Sequence, residues 1–279
     1  MRTMEAVRAA DVTSMHCGGT IARVYEPEDT GELLSLVATL EDFHILGGGT
    51  NTIFEDTTIT KPVIRLGRAF SFVEPTGEGV RAGAALPMKR LLSFSIRNGM
   101  AGIEFMAGIP GQLGGALWMN AGTPERGILD AVSELVIVEP SGVRTVKTAD
   151  LDYGYRHGGI GDKAVITSAA FRLERSSPEE VRRAVLSSLS RRRNQPHGYS
   201  SGSIFRNPPH GAAGYLIDQA GLKGLRVGGA KVSEIHANFI VNDRCATASD
   251  IKDLILKVKE RVKERFGVEL REEVKFIGQ

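Results

Sequence analysis

The sequence predicts an α+β protein made of three α/β lobes, and three patterns support that prediction. Short apolar strands alternate with helical segments along the 279 residues. Glycine-rich stretches interrupt this alternation at 47–49 and at 108–115. A long amphipathic helix is predicted from Ser249 onward. From the polar boundaries between these segments we predict lobes at 1–66, 67–175 and 176–279.

Composition indicates an ordinary globular protein. Hydrophobic residues make up 42% and charged residues 24%, with 35 Lys and Arg against 33 Asp and Glu. We therefore expect no nucleic-acid partner. The run Arg191–Arg193 is more typical of a solvated helix end than of a phosphate site, and we leave it unassigned. Cys17 and Cys245 lack the spacing of a metal or redox site, and no apolar run approaches the roughly 20 residues that span a bilayer. A cytoplasmic protein without a metal or a membrane contact is expected.

The first lobe is predicted from a strand, a helix and a second strand. Ile21–Tyr25 is the first strand, and Thr30–Leu40 is a helix with either Thr30 or Asp29 as its N-cap. The apolar strand Phe43–Leu46 then runs directly into a glycine triplet, and Thr52–Phe54 resumes the extended chain. The triplet is therefore expected at the end of a buried strand.

The second lobe is predicted to contain a hairpin, a helix and three further strands. Phe70–Glu74 and Gly79–Ala82 form the hairpin, with its turn at Pro75–Glu78. Pro87 begins a helix that reaches Asn98, and Gly99 ends it. The further strands are Glu134–Glu139, Val143–Val146 and Val165–Leu173.

The third lobe is predicted to begin with a helix start at Ser176-Ser177-Pro178-Glu179, and that helix runs to about Arg193. A short helix follows near Tyr215–Ala220, and a strand follows at Ala237–Asn242. The long last helix presents one apolar face, which predicts a core-facing stripe of Ile251, Leu254, Ile255, Val258, Val262 and Phe266.

The glycine loops are the first indication of chemistry. Without a Cβ, successive backbone N–H groups of residues 47–49 can converge on a phosphate, although a plain turn also explains one triplet. The second loop, residues 108–115, favours a pyrophosphate, and two loops in separate lobes favour a dinucleotide. The usual dinucleotide fingerprint occurs at Gly77–Ala82 and Gly159–Ala164, but neither copy leads from a strand into a helix. The sequence has no GxxxxGK[ST] motif for nucleotide hydrolysis.

These loops belong to an ordered set of blocks that spans nearly the whole chain. In order, the blocks are Gly47-Gly48-Gly49-Thr50-Asn51, Ala107-Gly108-Ile109-Pro110-Gly111, Gly114-Gly115-Ala116, Asn120-Ala121-Gly122, Tyr155-Arg156, Gly202-Ser203-Ile204-Phe205-Arg206-Asn207-Pro208, Gly221-Leu222-Lys223-Gly224, Gly228-Gly229-Ala230, His236–Asn242 and Glu273–Gly278. The set resembles the UDP-N-acetylenolpyruvoylglucosamine reductases, the MurB family. By length the chain is similar to the shorter, type II variety.

The resemblance implies both a fold and a reaction. The fold is a bipartite FAD-binding fold of the vanillyl-alcohol-oxidase (PCMH-like) type, in which two α/β lobes hold a non-covalent FAD, followed by an α/β domain that binds a UDP-sugar. In the implied reaction NADPH reduces FAD, and hydride then passes to the enolpyruvyl group of UDP-N-acetylglucosamine enolpyruvate, giving UDP-N-acetylmuramate for peptidoglycan. A monomer with small-molecule partners is expected.

The resemblance also assigns roles to single residues. Ser203 would donate a proton to the enolate that forms in the second step, and Arg156 and Glu273 would stabilise that enolate. Arg206, Asn207 and Asn238, together with Arg156 and Ser203, would bind the substrate. The residues that would contact FAD are Gly47, Gly48, Gly49, Thr50, Asn51, Gly108, Pro110, Gly111, Gly114, Gly115, Asn120 and Gly122.

The chain departs from the family pattern at several of these positions. Gly158 stands two places after Arg156, where the family often has Ser, so a supporting hydrogen bond is expected to be missing. Thr50 replaces a more usual Ser and keeps the hydroxyl, and Arg206 replaces a more usual Lys and keeps the charge.

Two alternatives stay open. Glu272 and Glu273 are adjacent, and only the step to Val274 selects Glu273 as the catalytic carboxylate. At the level of function, the chain fits another flavin oxidoreductase on the same scaffold, or a nucleotide-binding module without catalysis. The block from Gly202 to Pro208 favours the sugar-nucleotide reductase, because the family uses that block for its substrate.

Overall fold

The computed structural model describes residues 1–77, 79–209 and 211–278, and it divides into two compact units. Unit 1 comprises Met1–Met4, Val24–Gly48 and Pro62–Arg193, and unit 2 comprises Glu5–Arg23, Gly49–Lys61 and Asn194–Gln279. The helix that the sequence places at the start of a third lobe therefore belongs to unit 1. The division into lobes at 1–66, 67–175 and 176–279 stays a prediction.

The strands within the described ranges are β1 (Arg2–Arg8), β2 (Thr20–Glu26), β3 (His44–Ile45), β4 (Thr52–Phe54), β5 (Thr58–Ile59), β6 (Val63–Ile64), β7 (Val73–Thr76), β8 (Gly79–Gly83), β9 (Met100–Ala101), β10 (Val132–Glu139), β11 (Gly142–Lys147), β12 (Val165–Arg172), β13 (Glu174–Arg175), β14 (Tyr199–Ser203), β15 (Arg226–Val227), β16 (Ala230–Val232), β17 (Phe239–Asn242) and β18 (Lys275–Ile277). The α-helices are α1 (Ala9–Val12), α2 (Thr30–Thr39), α3 (Met88–Arg97), α4 (Leu113–Trp118), α5 (Pro178–Ser190), α6 (Ala213–Gln219) and α7 (Ala248–Phe266). Of the helices in the described ranges, none combines the length and the apolar run needed to cross a bilayer.

Parallel strand pairing in unit 1 leads the chain into the first glycine loop. β6 pairs in parallel with the end of β2 on one side and with β3 on the other. Leu46 follows β3, is buried, and donates its N–H to Ile64 O at 2.9 Å. The triplet at 47–49 therefore follows a buried strand end, as predicted. Of the two predicted caps of α2, Asp29 is the one that forms, because its carboxylate accepts a hydrogen bond from Glu32 N at 2.8 Å.

Five antiparallel strands form the main sheet of unit 1, in the order β11-β10-β12-β8-β7. Apolar side chains of β8, β10 and β12 share one buried cluster with α3 and α4. The first hairpin strand begins at Val73 and not at Phe70, because Arg68–Phe70 forms a 3-10 turn. Glu78 of the predicted turn lies outside the described residues. Pro87 is the N-cap of α3 and not its first residue, a difference of one position.

Unit 2 contains four antiparallel strands in the order β14-β17-β16-β15, and α7 packs against β15 and β16. Five of the six predicted stripe residues of α7 are buried, and Phe266 at its last position is 37% exposed. Thr247 and Asp250 form a capping box at the start of α7. The Asp56 carboxylate adds a second cap, accepting hydrogen bonds from Ala248 N at 2.8 Å and Ser249 N at 2.9 Å.

A parallel strand pair in unit 2 joins two distant parts of the chain. β18 pairs with β4 so that Lys275 lies beside Thr52 and Ile277 beside Phe54. β4 directly follows the first glycine loop, and β18 directly follows Glu273 and Val274. This register therefore places the end of the glycine loop next to the predicted catalytic glutamate.

Candidate active site

Two glycine loops lie against each other in unit 1, and at Gly48 the approach is too close for a side chain. A Cβ built on Gly48 would lie 2.9 Å from Gly111 Cα, and one built on Gly47 would lie 3.6 Å from Gly115 N. Gly111 has a φ of +104°, which L side chains rarely adopt. A Cβ built on Gly115 would meet nothing within 4 Å. Bare backbone therefore borders open space here, as the phosphates of FAD require, and the residues present fit that cofactor.

The neighbouring predicted FAD contacts have structural roles as well. Gly114 donates its N–H to Ala84 O at 2.7 Å, and a Cβ on Gly114 would lie 3.1 Å from Ala84 Cβ. Gly49, in unit 2, has a φ of +64°, and a Cβ there would lie 2.1 Å from Val12 O. Position 49 therefore requires glycine for packing and backbone conformation alone, whereas a Cβ at Gly114 would press tightly on Ala84. Contact of these residues, of Thr50 and of Pro110 with FAD stays a prediction.

Asn120 and Gly122 shape the segment of unit 1 that faces Arg156. Asn120 is 5% exposed and has a φ of +47°. Its amide donates to Gly154 O at 2.9 Å and accepts from Leu129 N at 3.0 Å. A Cβ on Gly122 would lie 2.0 Å from Arg126 O. The Asn120 amide thus joins two loops of the protein, and its predicted contact with FAD remains to be tested.

Arg156 lies in a tight turn with a strained backbone. Gly154 and His157 exchange backbone hydrogen bonds of 2.8 and 3.1 Å, and Arg156 between them has a φ of +57°. Its guanidinium donates to Gly122 O at 3.4 Å, and its Cζ lies 4.8 Å from the centroid of the Tyr155 ring. Strain of this kind persists where the surrounding structure fixes it, often at functional sites.

The departure at Gly158 has a steric cause. A Cβ on Gly158 would lie 2.4 Å from Trp118 O and 2.7 Å from Leu117 O. The Ser that the family often has at this place would require the backbone at the end of α4 to shift. Glycine here therefore belongs to the way that this chain packs the Arg156 turn against α4.

Ser203 lies at the end of a strand with a bulge. The register of β14 on β17 passes from Ser200 beside Val241 to Ser203 beside Phe239, and Gly202 has a φ of +75°. Bulges bend a strand and re-aim the side chains that follow. The Gly202-Ser203 pair singled out in the sequence is therefore the place where β14 changes direction.

Asn238 holds the segment after Ser203 as a neighbouring strand would. Its side-chain Oδ1 accepts from Phe205 N at 2.9 Å, and its Nδ2 donates to Phe205 O at 2.8 Å. Its own backbone O accepts from Ile204 N at 2.8 Å. Asn238 is only 4% exposed. The predicted contact of Asn238 with substrate stays a prediction, while the amide serves the backbone of Phe205.

The backbone of Glu273 is held between the Ser203 segment and the glycine loop. Glu273 N donates to Ile204 O at 2.7 Å, and Asn51 Nδ2 donates to Glu273 O at 3.1 Å. Lys275 N donates to Asn51 O at 2.9 Å. The side chain of Asn51 thus contacts Glu273, and Ser203 immediately precedes the residue that accepts the Glu273 N–H. The contact of Asn51 with FAD stays a prediction.

The remaining predicted site residues of unit 2 flank this arrangement. Arg206 N donates to Arg271 O at 2.9 Å. Asn207 Oδ1 accepts from Ala213 N at 3.1 Å and so fixes the start of α6. Of the two adjacent glutamates, Glu272 pairs with Lys259 of α7 at 2.8 Å. Substrate binding by Arg206 and Asn207 is not tested by these contacts.

The arginine run, which the sequence leaves unassigned, is solvated only in part. Arg191 and Arg193 are exposed, whereas Arg192 is partly buried. Burial and the charge of Arg156 lower the pKa of the Arg192 guanidinium. The signal was present in the sequence, because Arg192 stands seven residues after Val185, a buried residue of α5, and so continues the line of that face beyond the helix end.

Comparisons with known proteins agree with this geometry. The model of a FAD binding domain matches residues 21–147, and that of the UDP-N-acetylenolpyruvoylglucosamine reductase C-terminal domain matches residues 195–277. A UDP-N-acetylenolpyruvoylglucosamine reductase from Geobacter metallireducens is 38% identical over 96% of this chain and 91% of its own length. One from Rhodopseudomonas palustris is 41% identical over 96% of this chain and 89% of its own. The crystal structure of the reductase from Thermus caldophilus superposes with a TM-score of 0.88 at 33% identity, over 99% of both chains.

Proposed function

This chain belongs to the UDP-N-acetylenolpyruvoylglucosamine reductase family, and from that premise we propose that Ser203, Arg156 and Glu273 carry the second half of its reaction. The protein is an FAD-dependent oxidoreductase of peptidoglycan synthesis that reduces the enolpyruvyl sugar nucleotide to UDP-N-acetylmuramate. FAD, when bound, accepts hydride from NADPH and supplies it to the enolpyruvyl double bond. The α+β fold predicted from the sequence, with a FAD-binding part and a separate substrate domain, is confirmed by these comparisons.

Each of the three residues has a distinct role in this proposal. Hydride addition to one alkene carbon leaves negative charge on the other carbon and on its carboxylate. The guanidinium of Arg156 stabilises that charge on the carboxylate, and Glu273 assists. The Ser203 hydroxyl gives its proton to the carbon and regains one from solvent. A hydroxyl is a poor acid in water, so the basicity of the intermediate has to drive this transfer.

The observation that carries the proposal is the backbone link between Ser203 and Glu273. Glu273 N donates to the carbonyl of Ile204, the residue that follows Ser203. Two residues that stand far apart in the sequence thereby take fixed places in unit 2. Rigid placement of this kind is what a proton donor and its assisting group require.

Replacing Ser203 by Ala tests the role of the proton donor. Bleaching of the flavin absorbance by NADPH should stay within about twofold of wild type, because this step does not use Ser203. Recovery of that absorbance with the enolpyruvyl sugar should slow by about a hundredfold to ten-thousandfold. Anaerobic stopped-flow spectroscopy measures both half-reactions.

A matched control is available in the same strand. Ser201 is 2% exposed, and its Oγ has no hydrogen-bond partner among the described residues. Ser201→Ala should leave both half-reactions near wild type. Equal recovery rates in Ser203→Ala and wild type would remove Ser203 from the mechanism without touching the family assignment.

The cytoplasmic location and the monomeric state remain part of the proposal. Small-molecule partners follow from the family, since a sugar nucleotide and a nicotinamide nucleotide are the reactants. Sedimentation of the purified protein at several concentrations decides the monomeric state.

A further inference from the structure

Arg192 occupies a defined place in unit 1 although it lies in an exposed arginine run. It follows α5 by two residues, and its N–H donates to Leu189 O at 3.0 Å, which extends the helical turn. Val181 and Val185 are the buried residues of α5. Arg192 falls on the same face at helical spacing and is partly buried, whereas Arg191 and Arg193 are exposed.

The stem of Arg192 fills the space that Gly108 leaves open. A Cβ built on Gly108 would lie 2.8 Å from Arg192 Cδ, 3.7 Å from Arg192 Nε and 3.3 Å from Leu189 Cδ2. Gly108 has a φ of +84° and begins the second glycine loop. The side chain therefore lies across the loop that is expected to face a pyrophosphate.

Among the described residues, no carboxylate forms an ion pair with Arg192. Within the described part of the chain, Arg156 is the charged group that acts on it, and the two positive charges repel each other. Partial burial of a guanidinium without a carboxylate partner costs free energy that a bound anion recovers. A guanidinium is also suited to phosphate, because its fork of N–H donors matches two phosphate oxygens.

We propose that Arg192 binds a phosphate oxygen of a diphosphate ligand at the Gly108 loop. This inference rests on the proposed function, whose cofactor and substrate each carry a diphosphate. FAD and the UDP-sugar present the same chemistry to a guanidinium, and two separate measurements identify which of them it binds. The Gly108 position contributes by admitting the Arg192 stem, so that the charge reaches the loop.

The test compares Arg192→Met with Arg193→Met, which is matched in chemistry and lies at an exposed position one residue away. Methionine keeps a stem that packs on Gly108 and removes the charge. The first arm follows FAD dissociation from the holoprotein by flavin fluorescence after dilution. The second arm titrates the holoprotein with UDP by calorimetry. Arg192→Met should weaken one of the two affinities by about tenfold to a hundredfold, as expected for a charged hydrogen bond.

The two measured affinities, for FAD and for UDP, together test the proposal. A loss in the FAD arm assigns the cofactor diphosphate, and a loss in the UDP arm assigns the substrate diphosphate. Affinities within twofold of wild type in both arms would overturn the proposal, and so would equal losses in Arg193→Met. Wild-type turnover with the enolpyruvyl sugar, measured beside these titrations, reports separately on the proposed function.

Arg192→Lys provides a second test in case the methionine variant folds poorly. Lysine keeps a charge at the end of a flexible stem, although it lacks the fork. It should retain more affinity than Arg192→Met in the affected arm. A folded Arg192→Lys protein that binds as weakly as Arg192→Met would show that charge does not hold the ligand, and would overturn the proposal.

Discussion

Asn238 and Asn51 use side-chain amides where a sheet would use a neighbouring strand. Asn238 pairs with both backbone groups of Phe205, and Asn51 donates to the carbonyl of Glu273. A buried backbone group without a partner costs roughly 1–3 kcal/mol, so such amides are difficult to replace. In both cases the amide fixes a backbone segment next to a predicted catalytic residue.

The role of Asn238 can be separated from substrate binding by kinetics. We expect Asn238→Ala to slow recovery of the flavin absorbance at least about tenfold, because Phe205 and hence Ser203 lose their fixed place. The KM for the enolpyruvyl sugar should stay within about threefold of wild type. Loss of the two buried hydrogen bonds should also lower the free energy of unfolding by about 2–4 kcal/mol. Stopped-flow spectroscopy and urea unfolding measure these effects.

Asn242→Ala is the control for that experiment. The Asn242 amide donates to Met15 O at 3.0 Å and accepts from Ala246 N at 2.7 Å, so it is a structural amide near the same strand. This variant should lose stability while its recovery rate stays near wild type. A raised KM with an unchanged recovery rate in Asn238→Ala would instead indicate direct contact with the substrate.

At the residue scale the sequence indicated the candidate residues but not their contacts. Ser203 and Glu273 stood in recognisable blocks, yet the link from Glu273 to Ile204 depends on strand pairing between distant segments. Asn238 could be predicted as a site residue only by resemblance, since an asparagine that binds substrate and one that holds a backbone look alike in sequence. Arg192 was hidden by its exposed neighbours Arg191 and Arg193.

Among the elements, α7 begins at Ala248, one residue before the predicted Ser249, and its start is fixed by two caps. Its N-cap Thr247, its capping-box residue Asp250 and the carboxylate of Asp56 together satisfy N–H groups of the first turn. Asp56 lies 192 residues before Ala248 in the sequence, and no pattern within the helix predicts this contact.

The capping box makes the stability of α7 depend on pH. Hydrogen bonds from the backbone N–H of Thr247 and of Gly229 lower the pKa of Asp250. A carboxylate with a lowered folded pKa stabilises the fold above its unfolded value of about 3.9, and this contribution is lost as pH falls through the folded pKa. Asp250→Asn should therefore cost about 0.5–1 kcal/mol at neutral pH, a small value because the carboxylate is largely solvated.

That cost should disappear in acid, where the wild-type carboxyl is protonated as well. Urea unfolding of both proteins near neutral pH and at about pH 2 measures the difference. If Asp250→Asn lowered the free energy of unfolding by the same amount at both pH values, the charge of Asp250 would contribute nothing to the stability of α7.

Element prediction succeeded where apolar periodicity was strong and failed where it was weak. The apolar stripe predicted for α7 is confirmed except at Phe266, the last residue of the helix, which is partly exposed. β1 was not predicted, because its two partly buried residues, Met4 and Val7, stand three positions apart and so fall on opposite faces of the strand. The helix α5 ends at Ser190, three residues before the predicted end, and the following residues form turns.

Unit 2 is assembled from three separate stretches of chain. Local sequence patterns predict only continuous lobes, because they carry no information on which distant strands pair. The parallel pair β4–β18 is such a case. Fold class was nevertheless predicted, since the glycine loops, the strand and helix alternation and the ordered family blocks agree with one another.

The two cysteines report on whether unit 2 is folded. Burial, together with the charge of Asp56, raises the pKa of the Cys17 thiol to about 12, whereas Cys245 is exposed. Because the thiolate is the reactive form, Cys17 should stay unmodified at about pH 8 in the native protein. Titration with a chromogenic disulfide should count one thiol in buffer and two in guanidinium chloride.

The variant Cys245→Ser provides the control for this count. It should show no reactive thiol in buffer and one after unfolding, so that Cys17 becomes a specific probe of unit 2. Rapid reaction of two thiols in the native wild-type protein would contradict the buried position of Cys17.

The contact between Asn51 and Glu273 spans 222 residues, and it sets an order of events during synthesis. At roughly 5–20 residues per second, β4 leaves the ribosome some tens of seconds before β18 exists. Throughout that interval β4 has an unpaired edge, which can join strands of other nascent chains. The segment after the first glycine loop thus pairs with β18 only late in translation. A chain on a ribosome that stalls before this point contains the loop but lacks Glu273.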